Sequence, residues 1–218
     1  MRVVGVDEAG RGSFLGPLVV GGFAVEDRRL SELKSAGARD SKELSPTARG
    51  ECYRRLLEIG EMRSVALSPA TIDQAVRRTL LNELEATAFG HVIRGLRAEE
   101  AHVDACDPNE RRFGLRVAQH AALPVRVIAR HHADRDNPLV GAASIVAKVR
   151  RDRAIARLES ELGQEVGSGY PSDPVTVVFV REWLRTHREH PPWLRASWAT
   201  MRRVKLGRPA VTLDRYAP

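Results

Sequence analysis

The chain has 218 residues, of which 43% are hydrophobic and 29% charged, which excludes a disordered or fibrous protein and suits a folded globular one. Its longest apolar runs, such as residues 15–20 with Gly16 and Pro17, are too short to span a bilayer, so no membrane association is expected. A formal net charge of +7 favours a polyanionic partner, of which nucleic acid is the commonest. The basic residues are nearly all arginine, with lysine only at Lys34, Lys42, Lys148 and Lys205. Arginine suits bidentate phosphate contacts.

Residues 1–25 carry Asp7, Glu8 and Arg11 where a secretory signal needs an apolar stretch, so a cytoplasmic protein is expected. Cys52 and Cys106 are too few for a disulfide framework and have no zinc-type spacing; both read as free thiols.

In chain order, residues 1–6 are β-branched and apolar and predict a buried strand. Asp7 and Glu8 follow, then a glycine-bearing turn at residues 9–12, then a partner strand within 14–25 kinked near Gly16-Pro17 and Gly21-Gly22. Ser45-Pro46 caps a helix to about Ile59, and 62–67 is a third strand. Ser68-Pro69 opens another helical region whose main part is 79–96. Residues 101–105 read as a short strand bearing Asp104, 108–121 as a helix capped by Asp107, and 124–129 as a strand. Residues 138–162 form a long helix, small and apolar at its start and charged later. A glycine turn at 167–174 precedes two helices, 175–188 and 195–206, and a flexible tail. Strands alternating with helices behind an N-terminal hairpin predict an α/β fold with a mixed sheet flanked by helices. The expected division is a catalytic domain over 1–165, a helical C-terminal extension over 166–206 and a tail over 207–218.

The chemical signal is acidic. Asp7, Glu8, Asp104 and Asp134 all lie where strands end and loops begin, which is where ligands gather in α/β sheets. Carboxylates converging there repel one another, and a hard divalent cation with oxygen ligands is the usual remedy. Two ions about 4 Å apart can clamp a scissile phosphate. Taken singly, each residue has a plainer reading: a lone Asp at a strand end is usually a turn residue or a cap, and Asp134 precedes a helix. The residues alone make a metal site plausible without singling out these four. Gly10-Arg11-Gly12 allows close backbone approach to a ligand but matches neither a Walker A loop nor a dinucleotide fingerprint, and reads equally as a tight turn. Lys42 lies in a polar loop, Ser144 and Lys148 share a helix face, and Tyr170 in its Gly-Tyr-Pro turn suits stacking on a sugar or packing on the core.

Together these segments resemble type 2 ribonuclease H, ribonuclease HII, in its archaeal-style branch. The resemblance is carried by Gly5-Val6-Asp7-Glu8-Ala9-Gly10-Arg11-Gly12, Gly16-Pro17, Asp40-Ser41-Lys42-Glu43-Leu44, Leu81-Asn82-Glu83, Val103-Asp104-Ala105 and His132-Ala133-Asp134. Further on it is carried by residues 142–148, Arg151-Asp152-Arg153 and residues 167–174. It implies a ribonuclease H-like fold and endonucleolytic cleavage of the RNA strand of RNA–DNA hybrids. It also implies incision at single ribonucleotides in duplex DNA, leaving 3′-hydroxyl and 5′-phosphate ends. It implies that Asp7, Glu8, Asp104 and Asp134 hold two Mg²⁺ or Mn²⁺ ions, that Gly10, Arg11 and Gly12 read the 2′-hydroxyl, and that Tyr170 stacks at the RNA-to-DNA junction. Lys42, Ser144 and Lys148 would hold phosphates or support the site, and a monomer is expected.

Two departures from the family pattern touch the loops. Ser13 stands where proline usually follows the turn, and Gly141 where a serine usually precedes Ala-Ala-Ser. The tail resembles the sliding-clamp motif of archaeal members, but Ala210 replaces its glutamine and Ala217 its second aromatic, which argues against clamp binding.

Overall fold

The computed structural model describes residues 1–38 and 44–197. Asp40, Ser41 and Lys42, the expected helix beyond residue 197, and the tail with Ala210 and Ala217 lie outside the described residues. The chain divides into two compact units: residues 1–9, 19–66 and 80–150 in one, and residues 10–18, 67–79 and 151 onward in the other.

The first unit is built on a five-stranded sheet of order β3-β2-β1-β4-β5. Its strands are β1 (Arg2–Ala9), β2 (Leu18–Glu26), β3 (Glu61–Leu67), β4 (Glu100–Asp104) and β5 (Arg126–Arg130). β1 pairs antiparallel with β2 and parallel with β4, which is itself parallel to β5. The helices are α1 (Leu30–Ser35), α2 (Pro46–Ile59), α4 (Leu81–Leu96), α5 (Glu110–Ala121), the short α6 (Ala133–Asp136) and the first half of α7 (Pro138–Leu162). This is the mixed, helix-flanked α/β sheet that the sequence pattern predicts.

Glycines let the helices sit close to the sheet. A Cβ on Gly5 would run into the Leu139 carbonyl. One on Gly21 would lie 2.5 Å from Ala147 N and 2.7 Å from Ala143 O, both on α7. The next residue, Gly22, instead faces Val92 and Leu96 of α4. Successive strand residues point to opposite faces, so α7 covers one face of the sheet and α4 the other. On the α7 side, Val3, Phe23 and Val25 pack with Leu139, Ile145, Val146 and Val149, and with Leu33, Tyr53 and Leu56 from α1 and α2. α4 and α5 meet through an edge-to-face pair, Phe89 and Phe113, with ring centroids 5.2 Å apart.

The second unit contains α3 (Pro69–Arg77), the second half of α7 and α8 (Pro174–Thr186). Phe14 and Leu15 pack with Ile155, Leu158, Val166, Phe179, Val180 and Leu194. Asp73 of α3 accepts from the backbone N–H groups of Ala196 (2.9 Å) and Ser197 (3.0 Å). α8 begins Pro-Val-Thr-Val-Val, a run that favours a strand. Asp173 overrides that preference: its carboxylate accepts from Val175 N at 3.0 Å as the N-cap, and Pro174 occupies the first turn.

The expected caps at Ser45 and Ser68 are present, each accepting a backbone N–H three residues on. Two expectations are corrected. β1 runs on to Ala9, so Asp7 and Glu8 sit inside a paired strand opposite Gly21 and Val20 rather than after it. Asp107 does not cap α5. That cap is Asn109, which accepts from Arg112 N at 2.8 Å, while Asp107 is buried and held by Asn109 N, Asn82 and Arg112. Among the described residues no helix is long and apolar enough to cross a membrane.

Candidate functional site

β1, β4 and α6 assemble the acidic cluster. Val6 of β1 pairs in parallel with Val103 of β4, so the next residue on each strand, Asp7 and Asp104, emerges at the same level. Asp134 arrives from α6, directly after β5 and its connection. Ala133 N donates to Asp104 Oδ1 at 3.1 Å and ties α6 to the end of β4. As a result Asp7, Asp104 and Asp134 each offer a carboxylate oxygen within 4.8 Å of the other two. Glu8 lies outside this group. Its backbone N–H donates to Asp7 Oδ1 at 2.7 Å.

The electrostatics of the cluster are those of a site built for positive charge. Asp7 is 4% exposed and its pKa is raised from 3.8 to about 7. Burial is the chief cause, followed by the charges of Asp104 and Asp134, against hydrogen bonds from the Ser144 hydroxyl and Glu8 N–H that favour the anion. Three converging carboxylates, two of them buried, make an all-oxygen donor set that fits a hard divalent ion such as Mg²⁺ or Mn²⁺ and has no soft ligand to favour zinc or copper.

Ser144 is fully buried on α7 beneath Asp7, and Lys148, one turn further on, is half-buried. The small residues 141–144 that precede Lys148 are all buried, as the close helix–sheet approach requires.

In the second unit, Gly10 takes a left-handed φ of +88° and opens the turn that carries Arg11 and Gly12. Ser13 tightens this turn: its hydroxyl donates to Gly10 O at 2.9 Å, so the residue that stands in place of proline adds a tie to the turn. Arg195 holds the same segment. It is fully buried and donates through Nε and Nη2 to Gly16 O (3.1 and 3.0 Å) and through Nη1 to Arg11 O (3.0 Å). Sequence reasoning missed Arg195, because nothing near it distinguishes it from the chain's other arginines.

Tyr170 is half-buried in a loop braced by its own neighbours. Ser168 N donates to Asp173 Oδ2 at 2.5 Å, Gly169 N donates to Thr176 Oγ1 at 2.8 Å, and the Thr176 hydroxyl donates to Val166 O at 2.9 Å. The Gly169 carbonyl accepts from Phe14 N at 2.7 Å and Leu15 N at 3.2 Å, joining this loop to the end of the glycine turn. Lys42 lies outside the described residues.

Known proteins are similar to this chain over most of its length. The family model for ribonuclease HII matches residues 4–201. A ribonuclease HII of Cenarchaeum symbiosum (strain A) is 45% identical over 208 residues, covering 95% of this chain and 100% of the relative. The crystal structure of ribonuclease H2 from Pyrococcus horikoshii OT3 superposes with a TM-score of 0.86 at 38% identity, covering 95% of this chain and 98% of that one. The ribonuclease HII solved in complex with PCNA from Archaeoglobus fulgidus gives 0.85 at 36% identity, covering 98% and 100%. The chain therefore has the ribonuclease H-like fold and belongs to the ribonuclease HII family, a family of endoribonucleases.

Proposed function

We propose that this protein cleaves the RNA strand of RNA–DNA hybrids and incises duplex DNA on the 5′ side of a single embedded ribonucleotide, leaving 3′-hydroxyl and 5′-phosphate ends. The observation that carries the proposal is the convergence of Asp7, Asp104 and Asp134, with Asp7 driven up to about 7 by burial and by its two neighbours. Such a cluster is poorly stable as three anions and is relieved by cations. Asp7, Asp104 and Asp134, together with Glu8, would hold two Mg²⁺ or Mn²⁺ ions. When bound, these ions offset the charge that builds on the phosphate and on its attacking and leaving oxygens.

The protein's own groups do the rest. Asp7 would be a ligand to the metal, and the Ser144 hydroxyl and Glu8 N–H fix the orientation of its carboxylate. Lys148 and Lys42 hold backbone phosphates. Gly10, Arg11 and Gly12 present backbone and charge to the 2′-hydroxyl, the group that separates RNA from DNA. Tyr170 stacks on the sugar at the junction with the following deoxynucleotide. Residues 1–165 carry the chemistry, residues 166–206 extend the grip on the duplex, and the enzyme acts as a monomer.

The test is cleavage of an end-labelled DNA duplex with one internal ribonucleotide, in Mg²⁺ or Mn²⁺ and in EDTA, for the wild type and Asp134→Asn. One metal-dependent cut 5′ to the ribonucleotide, lost in the variant, is expected. Intact duplex and intact continuous hybrid, with both still bound tightly, would make the protein a hybrid-binding module instead.

A further inference from the structure

We propose that Arg151 is a positioning residue that couples the Gly10–Arg11–Gly12 turn to Tyr170, and that this coupling sets the preference for a single embedded ribonucleotide over a continuous hybrid. The inference rests on the reading above, in which those two elements contact the ribonucleotide.

Arg151 begins the second half of α7 and is 3% exposed. Its guanidinium lies 4.3 Å from the centre of the Tyr170 ring, a close cation–π approach. Its Nη2 donates to Ser168 O at 2.8 Å, two residues before that ring. The other end of the guanidinium faces the glycine turn. A Cβ on Gly10 would lie 2.5 Å from Arg151 Nε and 2.6 Å from Cδ, and one on Gly169 would lie 2.9 Å from Nη2. Both glycines have left-handed φ angles, +88° and +82°. The arginine therefore occupies a slot with one glycine wall from each loop, and the absence of two β-carbons is what admits it.

Such a placement is costly for a structural filler. A buried cation is normally paired with a carboxylate. Among the described residues Arg151 forms no ion pair, and its Nε has no hydrogen-bond partner. Its compensation comes from the Tyr170 face and the Ser168 carbonyl, both in the loop it positions, and from the charge of the adjacent Asp152. The planar fork matters: it stacks on the ring while its edge donates to the carbonyl and its stem lies along Gly10. A lysine offers a single point charge and cannot do all three.

The consequence falls on specificity. A single ribonucleotide offers one 2′-hydroxyl and one junction, so the turn and the tyrosine must be seated together. A continuous hybrid offers a 2′-hydroxyl at every position and tolerates a misplaced ring.

The experiment compares kcat/KM on a single-ribonucleotide duplex and on a continuous hybrid for Arg151→Lys and Arg151→Met, each alone and combined with Tyr170→Ala. The expected result is a roughly three- to thirtyfold fall in the ratio of the two values, the range of one lost cation–π contact. No further fall is expected once Tyr170 is already alanine. Arg151→Lys keeps the charge and stem and carries the test if the methionine variant does not fold. Equal losses on both substrates, or a full additional loss in the Tyr170→Ala background, would overturn the coupling and leave Arg151 a packing residue. If Tyr170→Ala itself leaves the ratio unchanged, the assignment of Tyr170 fails. A fall in Tyr170→Ala with unchanged ratios in both Arg151 variants overturns only the role of Arg151.

Discussion

Replacing Asp7 by asparagine should make the metal-free protein more stable while abolishing its activity. Asp7 is buried and its pKa stands at about 7 against an ordinary 3.8. The folded state therefore binds this proton more tightly than the unfolded chain does. The stability contributed by protonated Asp7 is fully present below about pH 4 and is lost as pH rises through about 7. The rise from 3.8 to about 7 corresponds to on the order of 4 kcal/mol against the ionised native state. Asparagine has the same shape, carries no charge and still accepts a hydrogen bond from Ser144. In EDTA at pH 8, Asp7→Asn should melt higher than the wild type by roughly 10 °C for a chain of this size. The gap should close as the buffer is taken toward pH 4. Adding Mg²⁺ or Mn²⁺ at a hundredfold over its Kd should stabilise the wild type by about 2.7 kcal/mol and leave the variant much less changed. Thermal and urea melts across pH, with and without EDTA, decide the matter. A variant less stable than the wild type at pH 8 in EDTA, or a gap that does not depend on pH, would refute the reasoning.

Gly21→Ala should destabilise the first unit by about 3 kcal/mol or more, because its Cβ would meet backbone atoms of Ala147 and Ala143 that a packed helix cannot move aside. An unchanged urea midpoint would show that α7 can lift from the sheet at little cost. Arg195→Met should leave the carbonyls of Arg11 and Gly16 without their buried donors, at about 3 kcal/mol. Amide exchange should quicken locally across residues 10–17, and exchange there at the wild-type rate would show that Ser13 and the rest of the segment suffice.

The amino-acid sequence determined most of what is local. Ser45-Pro46 and Ser68-Pro69 start helices where they stand, because a cap depends on a hydroxyl and the three residues after it. The long helix at 138–162 is legible from its pattern, as is the alternation of strands and helices that yields the mixed sheet. The motif around Asp7 is itself local and carries the resemblance to the ribonuclease HII family.

Tertiary structure alone decided that Asp7, Asp104 and Asp134 converge. Asp7, Asp104 and Asp134 meet because β1 and β4, roughly a hundred residues apart, are parallel and in register and because Ala133 binds Asp104 across 29 residues. Asp107 turns to Asn82 and Arg112 because a nearer residue, Asn109, takes the cap. Arg151 and Arg195 are two arginines among many in the sequence, yet each is buried among backbone atoms brought from distant segments. Local composition sets which element forms. Convergence and burial depend on long-range pairing and on the room left by Gly5, Gly10 and Gly21, which no short window of sequence contains.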